Sequence, residues 1–177
     1  MIKLFLLLAL IAIAVIWSIS TINKFKKCEI KVTESLSGIE VALTKRFDML
    51  TKLLDASKGY MAHEKDLFTQ IIAMRQGMSL AELGEAEQRM TEVSGQLFAV
   101  AENYPELRSS EVFVELQRGI RDAEEHLQAA RRVYNANVTA YNTKIAVFPD
   151  KLLAGSRVPK EFYKADEAKR ADVKMTF

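Results

Sequence analysis

Cysteine, histidine, proline and glycine are all scarce in this 177-residue chain, and each scarcity excludes something. A single cysteine, Cys28, rules out a disulfide within the chain. Two histidines, His63 and His126, with that lone thiol leave no ligand set for a structural zinc site. Three prolines and seven glycines supply little of the punctuation that a sheet protein needs. No alternating apolar–polar run is long enough for a strand, and no internal repeat has a solenoid period. A glycine-rich phosphate loop and a nucleophile elbow are both missing. What remains is long helix.

Charge is low overall and uneven in placement. The formal net charge is +2. Lys3, Lys24, Lys26, Lys27 and Lys31 supply five of the 25 basic residues, and Glu29 is the one acid before Glu34, so beyond Lys31 there remain 20 basic and 22 acidic residues. The basic excess therefore flanks the apolar start of the chain. That placement points to a membrane surface and away from a nucleic-acid groove.

Leu4 to Ile22 is nineteen residues without a charge, LFLLLALIAIAVIWSISTI. At 1.5 Å per residue such a helix spans about 28 Å, the thickness of a bilayer's hydrocarbon. Leu4, Leu10, Val15, Trp17 and Ile22 mark it out as an anchor, with Trp17 near its end where an interfacial aromatic is favoured. A cleavable signal peptide is the rival reading, with Ser18 and Ser20 at the cleavage spacing. The apolar run is longer than a signal peptide's core and no helix breaker precedes that site, so an uncleaved anchor is expected. Phe25-Lys26-Lys27 before Cys28 is no lipobox, and Cys28 is read as a plain reduced thiol beside the membrane rather than a lipidation site. Lys24, Lys26, Lys27 and Lys31 outnumber Lys3 and the amino terminus. The positive-inside rule then puts the N-terminus outside and the body in the cytoplasm.

The body reads as helix throughout. Residues 1–23 are the anchor, 24–35 a basic segment running into the first helix, 36–149 a helical bundle and 150–177 a partly ordered charged tail. Leu36, Ile39, Leu43, Phe47, Leu50 and Leu54 form a helical stripe that ends near Ser57-Lys58-Gly59, with Glu40, Thr44, Lys45, Asp48, Lys52 and Asp55 on the solvated face. A second stretch runs from Tyr60 to about Arg75. Ser79 with Glu82 is a capping-box pattern opening a third helix, whose stripe is Leu83, Ala86, Met90, Val93, Leu97 and Val100. Tyr104-Pro105 ends it. Ser109 or Ser110 then caps the last helix, Ser110 to Phe148, which Pro149 stops. Phe162 and Tyr163 are placed to dock the tail. Short connections favour antiparallel neighbours, so the expected fold is all-α: one transmembrane helix followed by an antiparallel bundle of about four helices.

The last helix carries the longest seam. Phe113, Leu116, Ile120, Ala123, Leu127, Ala130, Tyr134, Asn137, Tyr141, Ile145 and Phe148 recur at steps of three and four. Its second half is unusual, because Arg131, Arg132, Tyr134, Asn135, Tyr141 and Asn142 crowd the packed side. Polar groups there cost free energy unless they are paired. They form either a polar network that sets register between helices or a recognition surface for a partner. Metal chemistry fails on spacing: a zincin motif started by His63-Glu64 would need a second histidine where Leu67 stands, and neither histidine follows a glutamate by three residues.

Four blocks of residues resemble the LemA family of bacterial membrane proteins. They are Ile39 to Tyr60 with its basic pair Lys45-Arg46, Phe47-Asp48 and closing Lys58-Gly59-Tyr60; Tyr60-Met61-Ala62-His63-Glu64 onward to Arg75; Ala101 to Leu107, AENYPEL; and Ala129 to Asn135, AARRVYN, followed by Tyr141 to Ile145 and Phe148-Pro149. Thr51 and Leu36 stand where relatives often have proline and tryptophan. The resemblance implies a single membrane anchor, a helical bundle facing the cytoplasm or associated with the envelope, an external N-terminus and no established catalytic activity. A branch of the family is associated with magnetosome membranes, which extends to a scaffold role in membrane organisation. Tyr60, His63, Glu64, Glu102, Asn103 and Tyr104 join the polar seam as candidate network or partner residues, and the turns holding them are its expected partners.

The expected function is thus a membrane-anchored, non-catalytic scaffold or interaction module. It needs no cofactor, metal or nucleic acid; its partners are the bilayer and another membrane or membrane-associated protein. The alternative is a ligand-sensing envelope bundle with its body on the outer side.

Overall fold

A computed structural model of the chain describes residues 1–58 and 80–164, with the side chains of residues 80 and 81 excepted. The described residues are all-α. Helix α1 is Ile2–Ala56, α2 is Leu80–Asn103, α3 is the short Pro105–Ser109 and α4 is Glu111–Ala146; a 3₁₀ turn follows at Asp150–Leu153. The apolar start and the first body helix are one unbroken helix of 55 residues. The expected second stretch, Tyr60 to Arg75, and the Ser79 cap lie outside the described residues.

The helix ends have local causes. Tyr104 sits at φ −124°, ψ 89°, because the residue before a proline is driven out of the α region. Pro105, whose missing N–H costs nothing at a helix start, then opens α3. That extra turn of helix was not expected. Helix α4 closes at Ala146 rather than Phe148. The proline rule applies again at Pro149, and Phe148 leaves the seam with 79% of its surface exposed.

The chain packs as two units. One comprises Ser37–Arg131 and Tyr163–Phe177. Its core is the interleaved stripes of α1, α2 and α4: Ile39, Leu43, Leu50 and Leu54 from the first, Leu83, Met90, Val93 and Leu97 from the second, Phe113, Ile120, Ala123 and Leu127 from the third. Arg46 of α1 pairs with Glu124 of α4, and Met49 packs beside Gly119. Positions rise on one helix as they fall on the other, so α1 and α4 are antiparallel in this unit. The same logic makes α2 and α4 antiparallel, from the Glu87–Arg131 ion pair and the edge-on contact of the Phe98 and Phe113 rings. Each fully buried leucine side chain contributes about 2 kcal/mol relative to exposure. The solvated face of α1, Glu40, Thr44, Lys45, Asp48, Lys52 and Asp55, is exposed as expected.

The other unit is Met1–Leu36 with Arg132–Phe162. Here Phe25 and Val32 of α1 are buried with Tyr134, Val138, Tyr141 and Ile145 of α4. The apolar start lies outside this packing. Leu4, Leu10, Val15 and Ile22 are all exposed, and the apolar window of α1 is 0% buried at a mean hydropathy of 2.7, long and apolar enough to cross a membrane.

Candidate functional site: two polar clusters

Three of the expected seam residues carry clusters, and the structure shows what each one holds. In the unit built on Ser37–Arg131, Arg131 Nη1 lies 2.6 Å from Glu87 Oε1. The other carboxylate oxygen of Glu87 accepts the Tyr163 hydroxyl at 3.0 Å. The Arg131 guanidinium lies over the Tyr163 ring, 5.1 Å from its centroid. Tyr163 is 3% exposed. Burial raises its phenol above the usual tyrosine range, the Glu87 charge and hydrogen bond add to this, and Arg131 opposes it. One turn along α2, Thr91 Oγ1 accepts from Arg46 Nη2 at 3.0 Å and donates to the Glu87 carbonyl at 3.0 Å. Arg46 Nη1 lies 2.7 Å from Glu124 Oε2. Two arginines, two glutamates, a tyrosine and a threonine thus form one charge-balanced group.

The second cluster belongs to the unit holding Arg132–Phe162. There the chain after α4 returns along that helix. The Tyr134 hydroxyl donates to the Glu161 carbonyl at 3.0 Å. Asn142 pairs with the main chain of Lys160 twice: Nδ2 donates to its carbonyl at 2.9 Å, and Oδ1 accepts its N–H at 2.8 Å. A primary amide has one donor and one acceptor side by side, so it docks a strand-like segment as a neighbouring strand would. Asn137 Nδ2 donates to the Lys31 carbonyl of α1 at 3.3 Å. Nearby, Arg157 lies over the Phe25 ring at 4.8 Å, approaches Glu29 Oε1 at 3.4 Å and donates to the Ala154 carbonyl at 3.1 Å. Tyr141 is 2% exposed; burial pushes its phenol up, Glu29 adds to the shift and Arg157 lowers it. Burial, then Glu161, raises Tyr134 likewise.

The expected site residues therefore divide. Arg131, Tyr134 and Asn142 hold the returning chain, and Tyr141 is core. Asn135 is half-buried, its carbonyl accepting the Thr139 hydroxyl at 2.9 Å, while Arg132 is exposed. Tyr60, His63 and Glu64 lie outside the described residues. Glu102, Asn103 and Tyr104 end α2 on its exposed surface, and Asn103 Nδ2 bonds its own helix at Ala99. Arg131 meets Glu87 instead, which is about 22 Å along α2 from Glu102 at 1.5 Å per residue. The Glu102–Pro105 turn is not the partner of Arg131.

Sequence reading missed Arg46, Glu87 and Glu124. A signal was there. Ile39, Leu43, Arg46, Leu50 and Leu53 step by four and three, and so do Leu83, Glu87, Met90, Ser94 and Leu97. Both runs are buried throughout. A charge at a seam position asks for a facing charge, and Arg46 and Glu87 find theirs on α4. Among the described residues no three His, Cys, Asp or Glu side chains gather as metal ligands would.

Comparison with known proteins agrees with the resemblance of the four blocks. The chain is 25% identical over 131 residues to a protein LemA of Metamycoplasma hominis, an alignment that covers 71% of this chain and 60% of that protein. The chain thus spans less than two thirds of this relative's length. The sequence profile of the LemA family matches residues 35–177, which takes in α2, α3, α4 and the whole of the first polar cluster. With most of its length matched by that profile, the chain belongs to the LemA family.

Proposed function

We propose that this protein is a membrane-anchored, non-catalytic scaffold whose helical body recruits a membrane or membrane-associated partner. The observation that carries the reading is the form of α1. Its apolar start is exposed from Leu4 through Ile16, and the helix runs without a break into a packed helical body. An exposed apolar segment of that length is costly in water and stable in lipid. The charge bias of Lys24, Lys26, Lys27 and Lys31 supports a body on the cytoplasmic side. The charged side chains of the body support a structural role for the clusters, since Arg46, Glu87, Glu124 and Arg131 pair with one another. By analogy with the magnetosome-associated branch of the family, the scaffold organises a membrane or an organelle derived from it.

Cross-linking in native membranes followed by affinity capture of the full chain tests the reading. A reproducible membrane-associated partner, lost when the exposed face of α1 or α4 is charge-reversed, is expected. Recovery of no reproducible partner, together with an unaltered membrane phenotype on deletion, would sink it.

A further inference from the structure

Phe148 was expected to close the seam of α4, and its exposure has a positive reading. The Thr21 hydroxyl, 1% exposed, donates to Asp150 Oδ1 at 3.4 Å. Asp150 Oδ2 lies 3.1 Å from Lys144 Nζ. All three belong to the same unit, so the turn after α4 is held at the level of Thr21. Thr21 is in the last turn of the apolar run Leu4–Ile22.

That level is a boundary. A paired carboxylate and ammonium do not sit on a lone helix in hydrocarbon, so Thr21 marks the edge of the apolar layer. The surface of α1 says the same. A shallow depression is lined in order along the helix by Ile16 and Ile19, then Ser20 and Asn23, then Lys24 and Lys27. This is the polarity profile of a phospholipid read from acyl chain to headgroup. The uncharged run that remains, Leu4 to Ser20, is about 26 Å long at 1.5 Å per residue, within the length that a span needs.

The turn at this level carries three bulky apolar side chains facing outward. Phe148 is 79% exposed, Leu152 70% and Val147 46%. Beside them are the exposed Lys151 and the ammonium of Lys144. Aromatic and aliphatic tips flanked by lysines, at the depth of the headgroups, are the make-up of an interfacial membrane contact. We infer that the Val147–Leu152 turn is a second membrane contact, seating Phe148 and Leu152 in the headgroup-to-acyl boundary of the leaflet that α1 leaves. The inference rests on the reading of α1 as a membrane span. On it, the end of α4 is held to the bilayer as the first helix is, and the occupant of the exposed apolar turn is lipid.

The chain has one tryptophan, Trp17, and this makes depth measurable. The full chain is reconstituted in vesicles of phosphatidylcholine and phosphatidylglycerol, with bromines placed shallow or deep in the acyl chains. The unchanged protein reports the span: quenching of Trp17 is expected. Trp17→Phe combined with Phe148→Trp, and separately with Leu152→Trp, then moves the reporter to the turn. Blue-shifted emission and loss of intensity to the shallow bromines are expected at either position. Trp17→Phe with Val41→Trp, at an exposed site further along α1, is the water-facing control and is expected to stay unquenched. Quenching of Trp17 with none at positions 148 and 152 overturns the proposal and leaves the span standing. No quenching of Trp17 itself overturns both.

Discussion

Arg46 is 4% exposed, and its Nε makes no hydrogen bond. Glu124 and Thr91 hold it. Removing one partner of such a pair strands the other, whereas removing both need not cost much. Arg46→Met alone is therefore expected to destabilise the protein by about 2 kcal/mol, a figure kept low because Glu124 is partly exposed. Adding Glu124→Leu is expected to recover about 1 kcal/mol or more of this, read as a coupling energy from a denaturant double-mutant cycle. Tyr163 makes a pH prediction. Burial beside Glu87 holds its folded phenol above the ordinary tyrosine value of about 10. Between those two values the unfolded chain has lost a proton that the folded chain retains, so stability falls as pH rises. Below about pH 10 the tyrosine adds no pH dependence. Unfolding titrations are expected to show unchanged protein losing up to about 1.4 kcal/mol per pH unit more than Tyr163→Phe above pH 10. A residue-by-residue reading of the sequence found the polar side of α4 because asparagine and tyrosine in an apolar seam are conspicuous. It passed over Arg46, Glu87 and Glu124 because single charges in a helix look like surface until the facing helix is known.

Among the elements, the helix stripes were legible. Leu36 to Leu54, Leu83 to Leu97 and Phe113 to Ile145 keep a spacing of three and four, and the packed residues follow it. The ends were less legible, since Pro149 released Phe148 and Pro105 opened a helix of its own. Two glycines separate propensity from packing. Gly95 lies within α2, and a methyl there meets nothing within 4 Å. Gly95→Ala is expected to stabilise the protein by about 0.5–1 kcal/mol, seen as a higher midpoint in thermal melts. Gly119 lies within α4, where a methyl would come 3.0 Å from Met49 Sδ. Met49 is flexible and gives way at some cost in packing. Gly119→Ala is therefore expected to gain less than Gly95→Ala, with a net change within about 0.5 kcal/mol of zero.

For the molecule as a whole, the deciding asymmetry is that of the start of α1. Its apolar start is exposed and its basic residues lie almost wholly on one flank. Replacing Lys24, Lys26, Lys27 and Lys31 together by Gln leaves Lys3 and the amino terminus as the flanking charge. The positive-inside rule then predicts that a C-terminal reporter moves from the cytoplasmic to the outer side in a large share of molecules. Reporter activity measured in both variants checks this; a reporter that begins outside the cytoplasm counts against the proposed orientation.

The sequence by itself determined the long helix stripes, the apolar run at the start and the family, because those depend on local periodicity, on an uncharged stretch and on ordered blocks of residues. Nineteen uncharged residues need no fold to announce an apolar helix of membrane length. Only the tertiary structure decided what the polar half of α4 touches. Arg131 faces Glu87 from 44 residues away, Tyr134 and Asn142 hold main-chain groups whose residue types carry no mark, and Asp150 reaches Thr21 across 129 positions. Such pairings depend on how helices align and where the chain returns. No single stretch encodes them, because each half of the pair is an ordinary polar residue until the other arrives.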